Sequence, residues 1–465
     1  MSAEHVLDLA VDFDKIAAAV GSMPRVAYEA AHVYPLSAPQ FTPLPGAWRE
    51  FPGDGPLRLY VHIPFCRYAC TFCFYAKRIN MQRAQMQRYV AAVRRELDGL
   101  GDDIVLRQLY VGGGTPTALP PDLLDDLLMA ITERLSLDPT ACHTVECSPE
   151  SLSAAHIKVV ARRGVGRMSL GVQTLDEGLL KTVNRRHTAQ QAIDACTQLV
   201  ESGLSVNVDL IYGFPGQTED SLRRDLEAFA ASGTDSFTLY NLRLNEHTPL
   251  AKLVEDMQGL DLPVLMRWRR VIEQVMTGLG YEQFRWHMFR RRGCNPGHDR
   301  APGMNAFGFG REVGIGASAY SHLGETIYRN HSDLEDYLRC VEAGESPVED
   351  LFPFAPDDRR ALFIARTLGD ARPLVLSDYE RMFGRRFEDD YGGVLDRLFR
   401  ADLAYEADGQ LALTQVGRLV YDLVTLAFYP DHARRWLDEQ QLGTRQDVQA
   451  SPDHRPRRSA GGATR

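Results

Sequence analysis

Cys66, Cys70 and Cys73 stand in a C-x3-C-x2-C spacing inside the stretch LRLYVHIPFCRYACTFCFYAK, Leu57 to Lys77. Three thiolates that close can each take one iron of a [4Fe–4S] cube, leaving the fourth iron open to a small ligand. A structural zinc site wants four closed ligands, commonly as two C-x2-C pairs, and the sequence holds no second pair. Cys142, Cys147, Cys196, Cys294 and Cys340 are scattered and read as small buried residues.

More polar residues follow at intervals along the chain. Gly112-Gly113-Gly114-Thr115-Pro116 offers backbone that a ligand can approach without a Cβ in the way. Glu146 stands in Val-Glu-Cys-Ser-Pro-Glu, Gln173 in Gly-Val-Gln, Arg185 in Val-Asn-Arg and Asp209 in Val-Asp-Leu-Ile-Tyr-Gly-Phe-Pro-Gly. Carboxylates suit ribose hydroxyls, and a guanidinium suits a carboxylate bidentately. Tyr75, Glu246, His247 and His287 are candidate proton carriers by residue type.

The elements that must position these residues alternate. Short β-rich runs (59–63, 108–111, 143–146, 168–172, 206–212 and 236–242) are separated by amphipathic segments. The first of these carries Met86, Tyr89, Val90, Val93 and Leu97 on one helical face. Such β–α repetition demands a parallel sheet with right-handed crossovers. Periodicity alone permits either a partial (β/α)6 barrel or an open doubly wound sheet. In a barrel, the loops at the C-terminal ends of the strands build the site, and the cysteine loop, the GGGTP segment, Glu146, Gln173, Arg185 and Asp209 lie along consecutive strand ends.

After a mixed interval, 264–345, a different module begins near Pro356. Helices near 357–368, 377–383 and 391–400 precede two strands joined through the Asp408-Gly409 turn. That order resembles a winged helix. Its acidic residues, Asp389, Asp390, Asp396, Asp402, Glu406 and Asp408, favour packing or substrate capping over DNA binding. A helical candidate at Val11–Val20 and a Pro-rich stretch from Pro35 to Pro56 read as an arm that wraps the barrel or covers its mouth.

At 465 residues, 44% hydrophobic and 25% charged, the chain has the composition of a soluble globular protein. Its net charge of −10 argues against a non-specific grip on nucleic acid. The absence of a long apolar run or signal pattern argues against a membrane. With no cysteine framework of the secreted kind, a cytoplasmic location is expected. Arg285, Arg290, Arg291 and Arg292 form a basic cluster with two readings, a contact to an anionic substrate and a solvated loop.

The run Tyr60-Val61-His62-Ile63-Pro64-Phe65-Cys66, the cysteine spacing and the GGGTP motif resemble the radical S-adenosylmethionine (SAM) family. Within it they look like the branch of oxygen-independent coproporphyrinogen III oxidase and its relatives, over nearly all of Leu57–Phe428. The resemblance implies an α/β fold: a partial (β/α)6 TIM-like radical SAM barrel with a C-terminal winged-helix-like module. It divides the chain into an arm (1–55), the barrel with its extension (56–345), the module (346–437) and a disordered tail (438–465).

It also implies a [4Fe–4S] cluster on Cys66, Cys70 and Cys73, and two SAM molecules. By motif, Tyr60, Phe72, Gly113 and Glu146 match the contacts of the SAM at the cluster. Gly114, Thr115, Gln173, Arg185 and Asp209 match those of the second, and Leu242 and Tyr320 match further contacts. An electron donor such as flavodoxin or ferredoxin is implied as a partner.

Two departures bear on the reaction. The oxidases carry a fourth cysteine where this chain has Tyr75. The related heme chaperones carry H-N-x-x-Y-W where this chain reads Met304-Asn305-Ala306-Phe307-Gly308-Phe309. The departures leave an expectation of a class C radical SAM methyltransferase or cyclopropanase. It would deliver a SAM-derived methylene to an sp2 carbon of an aromatic small molecule or peptide in natural-product biosynthesis, with a partner methyltransferase as one way to finish the product. The alternatives are porphyrin chemistry (decarboxylation of coproporphyrinogen, or heme degradation) and a heme carrier without turnover.

Overall fold

The computed structural model describes residues 11–21, 42–43, 57–73, 75–100, 104–242, 248–253, 262–285, 287–294, 311–370 and 372–435. The 438–465 tail and most of the 1–55 arm lie outside them.

The expected alternation is present: β1 Leu57–Ile63, α1 Arg83–Asp98, β2 Val105–Gly113, α2 Pro121–Arg134, β3 Thr144–Cys147, α3 Ala154–Arg162 and β4 Arg167–Gln173. It continues with α4 Glu177–Thr182, α5 Ala189–Glu201, β5 Ser205–Tyr212, α6 Glu219–Ala231 and β6 Ser236–Asn241. These six strands pair in sequence order, all parallel. Local chemistry starts the helices where the sheet needs them. Capping boxes at Gln82/Gln85, Thr188/Gln191 and Thr218/Ser221 satisfy the first free amides of α1, α5 and α6. Leu57, Leu59, Val61 and Ile63 of β1 are buried with Tyr89, Val90, Val93 and Leu97 of α1 in the main core. The intervening Arg58, Tyr60 and His62 take the other face, as period two requires.

The sheet does not stop at six strands. Past α7 (Leu262–Gly278), the hairpin β7 Tyr281–Arg285 and β8 Met288–Arg291 adds antiparallel to β6. On the other edge β9 Arg311–Ile315 lies parallel to β1, and β10 Tyr320–Leu323, β11 Thr326–Asn330 and β12 Val348–Pro353 extend it antiparallel. Helix α8, Leu334–Glu342, sits between β11 and β12 in the chain. The strand order has two ends, so the barrel is partial.

The C-terminal module spans the gap. It includes α9 Pro356–Ala365, α10 Leu376–Phe383, α11 Phe387–Arg400, β13 Ala404–Ala407 and β14 Gln410–Leu413, with a short strand at Leu374–Val375 beside β14 and helical turns at Gln415–Leu419 and Tyr421–Leu426. The β13–β14 hairpin turns through Asp408 and Gly409 at φ 52° and 70°, the two left-handed residues of a type I′ turn. The module's core takes in Phe352 of β12 and Ile327 of β11 from one barrel edge, and Leu262 and Met266 of α7 from the other. Arg269 of α7 is buried and donates bidentately to Asp422 at 3.0 and 2.9 Å and to the Leu419 carbonyl at 2.7 Å. The helix Phe13–Val20, capped by Asp12, buries Ile16, Ala19 and Val20 in this same core. Of the described parts of the arm, this helix packs on the module, and Thr42–Pro43 pairs antiparallel with β12 at the barrel's edge.

One buried carboxylate ties the late strands to the first. Glu96 of α1 accepts from the Gly316 amide (2.8 Å), the Asn330 side chain (2.8 Å) and the Tyr337 hydroxyl (2.7 Å). Beside it, the Tyr89 hydroxyl donates to the His62 carbonyl at 2.7 Å and accepts from the Ala317 amide at 3.1 Å. Glu96→Ala would strand three buried donors and is expected to cost about 3 kcal/mol. The check is a lower urea midpoint with an unchanged slope. Asp98→Ala, two residues on and mostly exposed beside Arg134, is the near-neutral control.

No helix among the described residues is long and apolar enough to cross a membrane.

Candidate active site

The loop after β1 is held in shape by its own backbone. The Cys66 amide donates to the Arg78 carbonyl at 3.0 Å, and the Arg78 amide to the Pro64 carbonyl at 2.6 Å. Lys77 Nζ donates to the Cys73 and Tyr75 carbonyls at 2.7 and 3.3 Å. The end of α4 holds the middle of the loop. Thr71 N–H donates to the Val183 carbonyl at 3.1 Å, and Asn184 Nδ2 to the Ala69 carbonyl at 2.7 Å.

Cys66, Cys70 and Cys73 are half-buried and unlinked by disulfides. Burial pushes the Cys66 thiol up to about 11, against the Thr115 hydroxyl 3.9 Å from it, and the Cys73 and Cys70 thiols push the same way. The three thiols thus lie close enough for each to disfavour the others' charge. Among the described residues no three His, Cys, Asp or Glu side chains close on one point as a single ion would need. A cube needs no such point, because each thiolate takes a different iron. The thiols therefore fit a cluster better than a mononuclear metal.

The GGGTP segment braces this loop. The Gly114 amide donates to the Ile63 carbonyl at 2.7 Å and the Thr115 amide to the Phe65 carbonyl at 2.8 Å. A Cβ on Gly114 would fall 2.6 Å from the Phe65 oxygen, 2.8 Å from the Ile63 oxygen and 3.0 Å from Cys66 Sγ. Gly113 has φ 112°, and a Cβ there would meet the His62 ring at 2.5 Å.

Glu146, at the end of β3, accepts from the Tyr110 hydroxyl at 2.7 Å and from the Gly113 amide at 3.0 Å. Burial pushes its carboxyl up to about 7; Tyr110 pulls it back and Asp209 adds to the rise. Burial also raises Asp209 on β5, which Ser169 (2.9 Å) and Asn207 (2.8 Å) hold by hydrogen bonds. Asn207 in turn donates to Ser169 and Thr238 and accepts from Ser236, so the barrel interior is a polar ladder below the mouth. The Tyr60 hydroxyl pairs with His62 Nδ1 at 2.9 Å.

A carboxyl at about 7 when folded and 4.5 when free favours the fold most below pH 4.5, and that advantage fades as pH rises through 7. Glu146→Gln is therefore expected to gain on the parent chain, by on the order of 3 kcal/mol, as pH climbs from about 4.5 to about 7. Denaturant titrations of the cofactor-free protein at several pH values check this.

Gln173, ending β4, sits at φ 78° beside a register shift of β4 against β5. A side chain held there is strained, and such strain collects at functional sites. Arg185 is buried and aims at the cysteine loop: Nη1 is 3.8 Å from Cys70 Sγ, Nη2 donates to the Gly171 carbonyl, and Glu150 lies 3.8 Å away. Burial would lift Glu150, but His187 and Arg185 hold its carboxyl down at about 2.

Phe72 packs edge-on to Phe214 at 6.0 Å, against an apolar cluster containing Leu179, Ile211, Leu242 and Leu250. Leu242 is thus a buried packing residue at the end of β6. Tyr320 opens β10 close to Gly314, which is itself in register with Tyr60. Tyr75 is 60% exposed and near enough to Tyr60 to add, after burial and Glu146, to the rise of that hydroxyl. The His287 ring rests on Tyr240 at 4.5 Å, beside β6. Glu246 and His247 lie outside the described residues.

The basic cluster 285–292 does not gather at the mouth. β8 runs antiparallel to β6, pairing Arg290 with Ser236, which carries Arg290 and Arg291 to the opposite end of the barrel. There Arg290 donates to Glu282 at 2.8 Å and Arg291 to the Thr234 carbonyl at 3.0 Å. Sequence reasoning passed over His62, Tyr110, Glu150 and Asn207. Period-two alternation from Tyr60 and from Asp209 points to His62 and Asn207; Glu150 had no such signal.

Comparison with known proteins agrees with this geometry. The sequence model of the radical SAM superfamily matches residues 60–229. The chain is 30% identical to "Heme chaperone HemW" of Lactococcus lactis, over 78% of this chain and 94% of that one. It is 29% identical to "Oxygen-independent coproporphyrinogen III oxidase" of Pseudomonas aeruginosa, over 85% and 94%. The fold superposes on coproporphyrinogen III oxidase (HemN) from Escherichia coli with a TM-score of 0.70 at 24% identity, covering 80% of this chain and 90% of that one. These relatives overturn the expectation of a class C methyltransferase or cyclopropanase in natural-product biosynthesis. Tyr75 in place of a cysteine and the altered 304–309 segment are local changes, whereas the likeness to tetrapyrrole-named proteins runs along 94% of their length.

Proposed function

The chain belongs to the radical SAM superfamily, in the branch of the heme chaperone HemW and oxygen-independent coproporphyrinogen III oxidase, and from that we propose that it performs hydrogen-atom abstraction on a tetrapyrrole. The observation that carries this reading is the three-thiol loop braced by Gly114 and Thr115 at a strand-end mouth. A [4Fe–4S] cluster with SAM supplies, on one-electron reduction, methionine and a 5′-deoxyadenosyl radical that can take hydrogen from a substrate carbon.

The protein's own contribution is positional. Cys66, Cys70 and Cys73 would hold the cluster. Tyr60, Phe72, Gly113 and Glu146 would seat the SAM beside it, and Gly114, Thr115, Gln173, Arg185 and Asp209 a second SAM. Glu146 and Asp209, both raised by burial, would ionise readily once a sulfonium cation is near, since an opposite charge favours the charged form. His62 fixes the Tyr60 hydroxyl. The Phe72–Phe214 cluster keeps water from one side of the mouth.

The test uses anaerobic, iron-loaded protein with dithionite, SAM and either coproporphyrinogen III or heme. Formation of 5′-deoxyadenosine stimulated by one of these tetrapyrroles, with deuterium carried over from labelled substrate, is expected. Equal rates with and without them would reject the reading. A heme spectrum without turnover would point to a carrier, the reading suggested by the name of the Lactococcus relative.

A further inference from the structure

The barrel mouth occupies one side of the cysteine loop. The other side, against α4, reaches the surface within two side chains. There Arg185 lies 3.8 Å from Cys70 Sγ, and its guanidinium stands 5.8 Å from the centre of the buried Tyr68 ring. Arg186 stands 5.5 Å from the same ring and is exposed. Lys181 and Arg186 line an open cleft along 177–188, and Arg67 is exposed next to Tyr68 in the chain.

The charge of this face runs against that of the whole. The chain carries −10, yet Arg67, Lys181 and Arg186 are all cationic here. Glu177 is the exposed acid of the cleft. Glu150 offsets little of the surface charge, being half-buried and engaged with Arg185 and His187. An acidic protein is repelled by most of this molecule and drawn to a local patch of opposite sign, which steers encounter more than it adds affinity.

We propose that the face formed by Arg67, Lys181 and Arg186, over the buried Tyr68 ring, docks an acidic, low-potential one-electron carrier protein. It deepens the radical reading above and rests on it, since that chemistry needs an electron from outside. One electron leaves the reduced carrier, which is oxidised by one unit, and enters the cluster; no bond or proton moves. The Tyr68 side of the loop offers that electron a short path to Cys70 while leaving the mouth open to SAM and substrate.

The test is stopped-flow reduction of the iron-loaded protein by flavodoxin hydroquinone, followed by cluster absorbance at several salt concentrations. The parent rate should fall with salt. The double variant K181E/R186E should be slower by about tenfold or more at low salt, with a flattened salt dependence. The charge-keeping K181R/R186K should retain the parent rate. Iron content and 5′-deoxyadenosine formation with dithionite should be unchanged in both. An unaltered flavodoxin rate in K181E/R186E, or loss of its iron, would overturn the docking face. Failure of the parent protein to form 5′-deoxyadenosine with dithionite would instead sink the radical reading.

Discussion

Serine in place of Cys66, Cys70 or Cys73 is expected to take iron from about four per chain to near zero and 5′-deoxyadenosine formation to background. On this assignment each thiolate would hold its own iron, so no neighbour could substitute. Among the described residues the other cysteines are no reserve. Cys142, Cys147, Cys196 and Cys340 are buried within the protein, and the half-buried Cys294 lies with β8, away from the loop. Cys142→Ser is the matched control and should retain its iron. Iron and sulfide analysis with the electron paramagnetic resonance of the reduced protein decides the matter. A Cys73 variant that kept a full complement of iron would remove the central assignment.

Gly114→Ala should be nearly as damaging although it deletes no ligand. The added methyl would lie 2.6 and 2.8 Å from two backbone carbonyls and 3.0 Å from Cys66 Sγ. Carbonyls of a hydrogen-bonded loop cannot swing aside as a flexible side chain can, so the cysteine loop and the GGGTP segment must part. Misplacing reacting groups by about 1 Å can cost a hundredfold, and a loss of that order in 5′-deoxyadenosine formation is expected. Gly166→Ala, with no atom near its added Cβ, should leave the rate unchanged.

The six parallel strands and their crossovers were legible because each buries one face under an amphipathic helix, and that pairing writes two clean periods into the chain. The mouth residues were legible because strand ends repeat at the same rhythm. The flanking strands β7–β12 were not. They are short, they add to edges set by distant segments, and β9 joins β1 across some 250 residues. Helix α4 was missed because six residues give too little periodicity to read. The place of the basic run 285–292 stayed open for a related reason. Charge is visible in sequence, but the direction of the strand that carries it to one end of the barrel is not. Glu96 was invisible as well, since nothing in a polar residue on an amphipathic helix tells that three distant donors will bury it.

The helix Phe13–Val20 and the segment around Tyr421–Ala433 share one hydrophobic core, and Arg434 donates to the Val20 carbonyl at 2.8 Å. During synthesis, then, an early helix waits for partners made some four hundred residues later. Until they emerge from the ribosome the parallel strands have a seam open along one flank. That core, and the closure of the seam with it, is complete only once residues 421–434 have emerged.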